Sequence, residues 1–264
     1  MIPQLIAEAR KIVIKFGSNT LADGEGKING PLLEEFAEQT AALIKQGKQI
    51  IIVSSGAQLA GLSAMDKWKR KRDIHYKQAL CAVGQVKLMN AWERAFAPQG
   101  IQIAQILLTR DDFADNSRTL NMRNTLFTLV DEGIVPVINE NDTVSVEEIK
   151  IGDNDTLAAQ SAILWSADLL ILFSDIDGLY DKNPRKYPDA KLVSEVRDIA
   201  AARKSADGSD GGAGEFGTGG IVTKLDAAEQ AVSYGIPMIL AHGGRQRTLE
   251  ALAAGSGQGT AFLV

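Results

Sequence analysis

Short apolar runs alternate along this chain with longer stretches of helical spacing. Ile12, Val13 and Ile14 form one such run, of the kind buried on both faces of a parallel sheet. Residues 49–53, 101–108, 134–138 and 169–173 repeat it, and 237–240 and 260–263 predict two late strands. After the first strand, Pro31 opens a helix where a missing N–H costs nothing. Leu33, Phe36, Ala37, Thr40, Ala41 and Ile44 share one face of it, and Gly47 stops it. Strand, helix, strand is the unit of a parallel sheet.

Further helices are predicted over 2–10, after Ser54-Ser55-Gly56-Ala57, and over 74–96 with Leu80, Val83, Leu88, Trp92 and Phe96 among the apolar positions. Ser117 is a good N-cap for a helix through Leu120, Leu126 and Leu129 that Gly133 stops. Another begins at 152–156 and carries Leu157, Ala158, Ser161, Ala162 and Trp165. One more carries Leu225, Ala228 and Val232, and a short one covers 249–253. Residues 19–30, 109–116 and 181–190 are expected as loops, 144–151 as a small hairpin and 205–220 as a glycine-rich flap. The fold class expected is α/β, an open mostly parallel sheet sandwiched between helices. No internal repeat or linker stands out, so one domain is expected over 1–264.

Charge changes the picture only locally. The 264 residues carry a formal net charge of -5, which argues against a general nucleic-acid binder. An anionic ligand would need positive charge gathered in one place. No window approaches a membrane span, and residues 1–10 are no signal peptide. Cys81 stands alone, so no intrachain disulfide forms.

Candidate chemistry sits at strand ends. Lys15 follows a buried strand and stands beside Phe16 and Gly17. That combination suits an anion approaching the backbone, and equally a lysine snorkelling from the sheet. Ser55 and Gly56 enter a helix whose first N–H groups attract anions. Asn139-Glu140-Asn141-Asp142 empties a strand into four polar side chains, which a capped turn also explains. Asp153, Asn154 and Asp155 exceed what capping one helix requires. Thr218-Gly219-Gly220-Ile221-Val222-Thr223-Lys224 combines glycines, a hydroxyl and a lysine at a helix start, without being a P-loop. The basic stretch 66–77 is a solvated loop or a flap over an anion. Gly212, Gly214 and Gly217 match a dinucleotide fingerprint by letter, but no strand precedes them. Asp175-Ile176-Asp177-Gly178 lacks the later ligands of a calcium loop.

In register, these stretches resemble the amino-acid kinase family. They are Lys15–Ser18, Val53–Ala57, Val137–Asp142, Ile151–Asp155, Asp175–Tyr180 and Gly217–Gly220 with Thr223-Lys224. Within the family they look most like the members that phosphorylate L-glutamate, helped by Gln105-x-Leu-Leu-Thr-Arg110. Many of these carry a C-terminal PUA domain, and none is expected before Val264.

The resemblance implies a Rossmann-like αβα fold. It also implies a cytoplasmic, homo-oligomeric enzyme of proline biosynthesis that moves the γ-phosphoryl of ATP, with Mg²⁺, to the side-chain carboxylate of L-glutamate. Proline is the inhibitor it implies. Lys15 and Lys224 would hold the transferred phosphoryl, with Asp155 orienting both. Gly17 and Gly56 would bring backbone N–H groups to phosphate oxygens. Ser55, Asn139, Asp142 and Asn154 would bind glutamate; Ser174, Asp175 and Thr218 to Lys224 would bind ATP. No protein metal ligands are implied. Rival readings are kinases of N-acetylglutamate, aspartate, carbamate or uridylate, and a non-catalytic nucleotide or oxyanion binder.

Overall fold

A computed structural model of the chain describes residues 1–65, 73–146, 154–184, 186–207 and 220–264. The expected hairpin over 144–151 lies mostly outside them, as do much of the basic stretch 66–77 and most of the flap 205–220. Among the described residues, eight strands form one sheet: β1 Lys11–Phe16, β2 Gln49–Ser54, β3 Ile103–Leu108, β4 Val135–Glu140, β5 Leu169–Ser174, β6 Glu195–Val196, β7 Met238–His242 and β8 Gly259–Phe262. Their order is β3-β4-β2-β1-β5-β7-β8-β6. All pairings are parallel except β7 with β8, which is antiparallel.

The strands that sequence patterning finds are those buried on both faces. A period of two divides each apolar run between two cores. Ile12, Ile14 and Phe16 of β1 enter one, with Ile50, Ile52, Leu169 and Ile171. Val13 enters the other, with Ile51, Val53, Leu170 and Leu172. The first core is closed by α1 Ile2–Glu8, α3 Gly30–Lys45, α5 Ile74–Phe96 and α11 Thr248–Ala254. The second is closed by α7 Asn116–Asp131, α8 Asn154–Trp165 and α10 Ile221–Ser233. Phe16, Phe36 and Phe173 pack ring to ring at 4.6–5.4 Å between centroids and tie α3 to the sheet centre.

Several local expectations change. The loop 19–30 begins with one helical turn, α2 Ser18–Leu21. The loop 109–116 contains α6 Arg110–Ala114, opened by a capping box of Thr109 and Asp112. Asp115, not Ser117, caps α7 through the Arg118 N–H. A further helix, α9, covers Ile199–Asp207. Val83 is 40% exposed, because α5 turns other faces to the sheet and to α4 Ala57–Met65.

The α4–α5 crossing depends on two glycines. A Cβ at Gly84 would lie 1.7 Å from the Ala57 carbonyl oxygen, and one at Gly61 2.0 Å from that of Leu80. The obstacle is backbone in both cases, so no rotamer relieves it. Gly84→Ala is expected to cost about 3 kcal/mol of stability. Urea denaturation reads this as a lower midpoint at unchanged slope.

Candidate active site

Ligands of open α/β sheets bind beyond the carboxyl ends of the strands. Here β1, β2, β4 and β5 present Lys15, Ser54, Asn139 and Ser174 at those ends. Helices α8 and α10 begin with Asn154-Asp155 and Ile221–Lys224, and the N-terminal ends of helices favour negative charge.

Asp155 joins these elements. Its Oδ1 accepts from Lys15 Nζ at 2.6 Å and its Oδ2 from Lys224 Nζ at 3.2 Å. Thr223 Oγ1 also donates to Oδ2, at 2.9 Å. Asp155 is 1% exposed and both lysines 6%. Burial pushes the Asp155 carboxyl upward, but the charges of Lys15 and Lys224 outweigh it and hold the group well below the usual carboxylate range. Two ammonium groups and one carboxylate leave this buried cluster with one net positive charge. That suits an anion arriving from solvent.

Beside it lies a cluster of neutral side chains. Asn154 Nδ2 donates to Ser55 Oγ at 2.7 Å and to Asn139 Oδ1 at 2.9 Å. Asn139 Nδ2 donates in turn to Gln85 Oε1 at 2.8 Å. The Asp142 carbonyl accepts from Gln78 Nε2 at 3.0 Å, and its side chain is buried. Gly56 has φ +106°, a conformation few residues besides glycine adopt. Ser55, Asn139 and Asn154, far apart in sequence, thus meet within hydrogen-bond reach.

The expected nucleotide residues are less tightly knit. Ser174 Oγ lies 3.1 Å from Asp175 Oδ1, and Asn19 Nδ2 donates to Asp175 Oδ2 at 3.0 Å. Gly220 caps α10, Ile221 packs against the second core, and Val222 is half-exposed. Thr218 and Gly219 lie outside the described residues.

One expectation is corrected. The Gly17 N–H does not face outward for a phosphate: it donates to the Phe173 carbonyl at 3.2 Å and continues the β1–β5 ladder. A Cβ at Gly17 would stand 3.5 Å from Lys15 Nζ, an ordinary van der Waals contact.

Sequence reading missed Gln78 and Gln85, which sit on a helix read for its apolar positions alone. The signal available was their seven-residue spacing with Trp92. Neither histidine enters the cluster: His75 is exposed, and His242 Nδ1 accepts from the Gly244 N–H at 2.9 Å.

The chain is 58% identical to the glutamate 5-kinase of Alkaliphilus metalliredigens over 262 residues, 99% of this chain and 98% of that one. It is 47% identical to the glutamate 5-kinase of Geobacter sulfurreducens, over 98% of this chain and 69% of the longer relative. The solved carbamate kinase of Giardia lamblia bound to AMP-PNP shares the fold at a TM-score of 0.67 and 13% identity, covering 97% and 99% of the two chains. The sequence model of the amino acid kinase family matches residues 10–242, and the chain belongs to that family.

Proposed function

We propose that this chain transfers the γ-phosphoryl of ATP to the side-chain carboxylate of L-glutamate, giving γ-glutamyl phosphate and ADP, the first step towards proline. The observation that carries the reading is the Asp155 carboxylate, which draws Lys15 of β1 and Lys224 of α10 to one point. Relatives of 58% and 55% identity, matched along 98% and 99% of their length, are named glutamate 5-kinases.

The chemistry needs no general base. A free glutamate side chain has a pKa of about 4.3 and is ionised at pH 7. One of its oxygens attacks the γ-phosphorus while the bond to the β-bridging oxygen breaks. Charge then spreads over the equatorial oxygens and the departing ADP. Lys15 and Lys224 meet that charge from two elements, and Asp155 keeps the ammonium groups from separating. Ser55, Asn139, Asp142 and Asn154 hold the amino-acid end of glutamate. Asp142 supplies the negative charge for its α-ammonium. Ser174, Asp175 and residues 218–224 take the nucleotide.

Mg²⁺ fits as a companion of ATP rather than a resident of the protein. The Asp155 oxygens are already engaged by Lys15, Lys224 and Thr223. Nucleotide phosphates and water supply most of the ligands of an ATP-bound Mg²⁺, and the ion would neutralise phosphate charge.

The test is ADP release with glutamate, N-acetylglutamate, aspartate, carbamate and uridylate, each with and without proline. Glutamate should give the highest kcat/KM, and preference for another acceptor would reassign the substrate. Asp142→Ala should raise the KM for glutamate at least tenfold, the worth of one charged hydrogen bond at about 1.5–3 kcal/mol, with the KM for ATP little changed. The opposite pattern would place Asp142 at the nucleotide.

A further inference from the structure

Three polar side chains on α5 stand seven residues apart, at 78, 85 and 92. An α-helix returns to nearly the same face every seven residues, about 10 Å further along. All three reach the strand ends that build the site. Gln78 Nε2 donates to the Asp142 carbonyl at 3.0 Å, and Trp92 Nε1 to Ser54 Oγ at 2.8 Å. Between them, Gln85 Oε1 accepts from Asn139 Nδ2 at 2.8 Å. Gly84, the preceding residue, presses α5 against α4 with no space for a side chain, which fixes the depth at which Gln85 sits.

We propose that Gln85 is a positioning residue for the amino-acid substrate, acting through Asn139; the substrate named here rests on the function proposed above. A primary amide has a donor end and an acceptor end of almost equal shape. Asn139 is 1% exposed, so no solvent chooses between its two orientations. Gln85 and Asn154 share that choice: Gln85 Oε1 takes the Nδ2 proton, and Oδ1 accepts from Asn154 Nδ2, 2.9 Å away. Asn154 then points its amide nitrogen at both Asn139 and Ser55. Without Gln85 the Asn139 amide is free to turn over and set one NH₂ against the other.

The rest of Gln85 argues against a packing role. Its Nε2 is buried with no hydrogen-bond partner among the described residues. An apolar side chain would fill the same space without that cost.

Gln85→Met keeps the volume and removes the accepting oxygen. It should raise the KM for glutamate about tenfold, with the KM for ATP within about twofold. Gln85→Glu keeps an accepting oxygen and should bind glutamate better than Gln85→Met. In an Asn139→Ala background, Gln85→Met should add less than about twofold, because the two changes remove one linkage. An unchanged KM for glutamate in Gln85→Met, additive effects in the double variant, or equal rises for ATP and glutamate would each overturn the proposal. If Gln85→Met does not fold, Gln85→Leu takes its place, since it also removes the accepting oxygen: a rise confined to glutamate that Asn139→Ala abolishes supports the linkage, and any other result overturns it. If the unsubstituted protein releases no ADP with glutamate, the function reading fails and this proposal falls with it. If it does and Gln85→Met binds glutamate normally, only this proposal fails.

Discussion

Lys224→Ala is expected to lower kcat by about 10²–10³-fold, the usual loss when one preorganised charge at a transition state is removed. The fold should survive it. Lys15 remains 2.6 Å from Asp155, so no buried charge is left alone. The cluster merely passes from one net positive charge to none. A neutral cluster attracts an incoming phosphate less and offers the migrating phosphoryl support from one side only. The checks are kcat from ADP release and a thermal melt of the same preparation. Near-normal turnover would remove Lys224 from the chemistry, and a collapsed melt would make it a structural residue.

Legibility of this fold in its sequence follows burial. Strands β1, β2, β4 and β5 are buried on both faces and announce themselves as unbroken apolar runs. Strand β6 is two residues long and has no periodicity to show. Helix α6 was hidden by its polar composition, although Thr109 and Asp112 spell a capping box at the right spacing.

The site was legible where side chains exceed structural need. Asp153, Asn154 and Asp155 are too many caps for one helix, and Asn154 and Asp155 turn out to bond Ser55 and Lys15. Gln85 was not legible, because a glutamine on an amphipathic helix has the look of a solvated face until its partner is known. Gly17 is legible only in part. A glycine after a strand offers both an N–H and a space, and only the register with β5 decides that the N–H is already taken.

Asp155→Asn is expected to be the most damaging single change, and in a different way from Lys224→Ala. It leaves two buried ammonium groups facing each other without the carboxylate that both now touch. Breaking a buried ion pair from one side costs about 3–5 kcal/mol, so the variant should unfold at markedly lower urea. Anionic ligand then replaces the missing charge. ATP or inorganic phosphate should raise the melting temperature of Asp155→Asn more than that of the unsubstituted protein. The pH dependence carries the sign. The folded Asp155 carboxyl lies below its range in the unfolded chain, where the pKa is about 3.9. The stability it contributes is therefore fully present above about pH 5 and is lost only as pH falls below about 4. The difference in unfolding free energy between the two proteins should stay flat from pH 8 to pH 5 and narrow in more acid solution. A difference that closed between pH 8 and pH 5 would mean that Asp155 is not the ionised partner of two lysines.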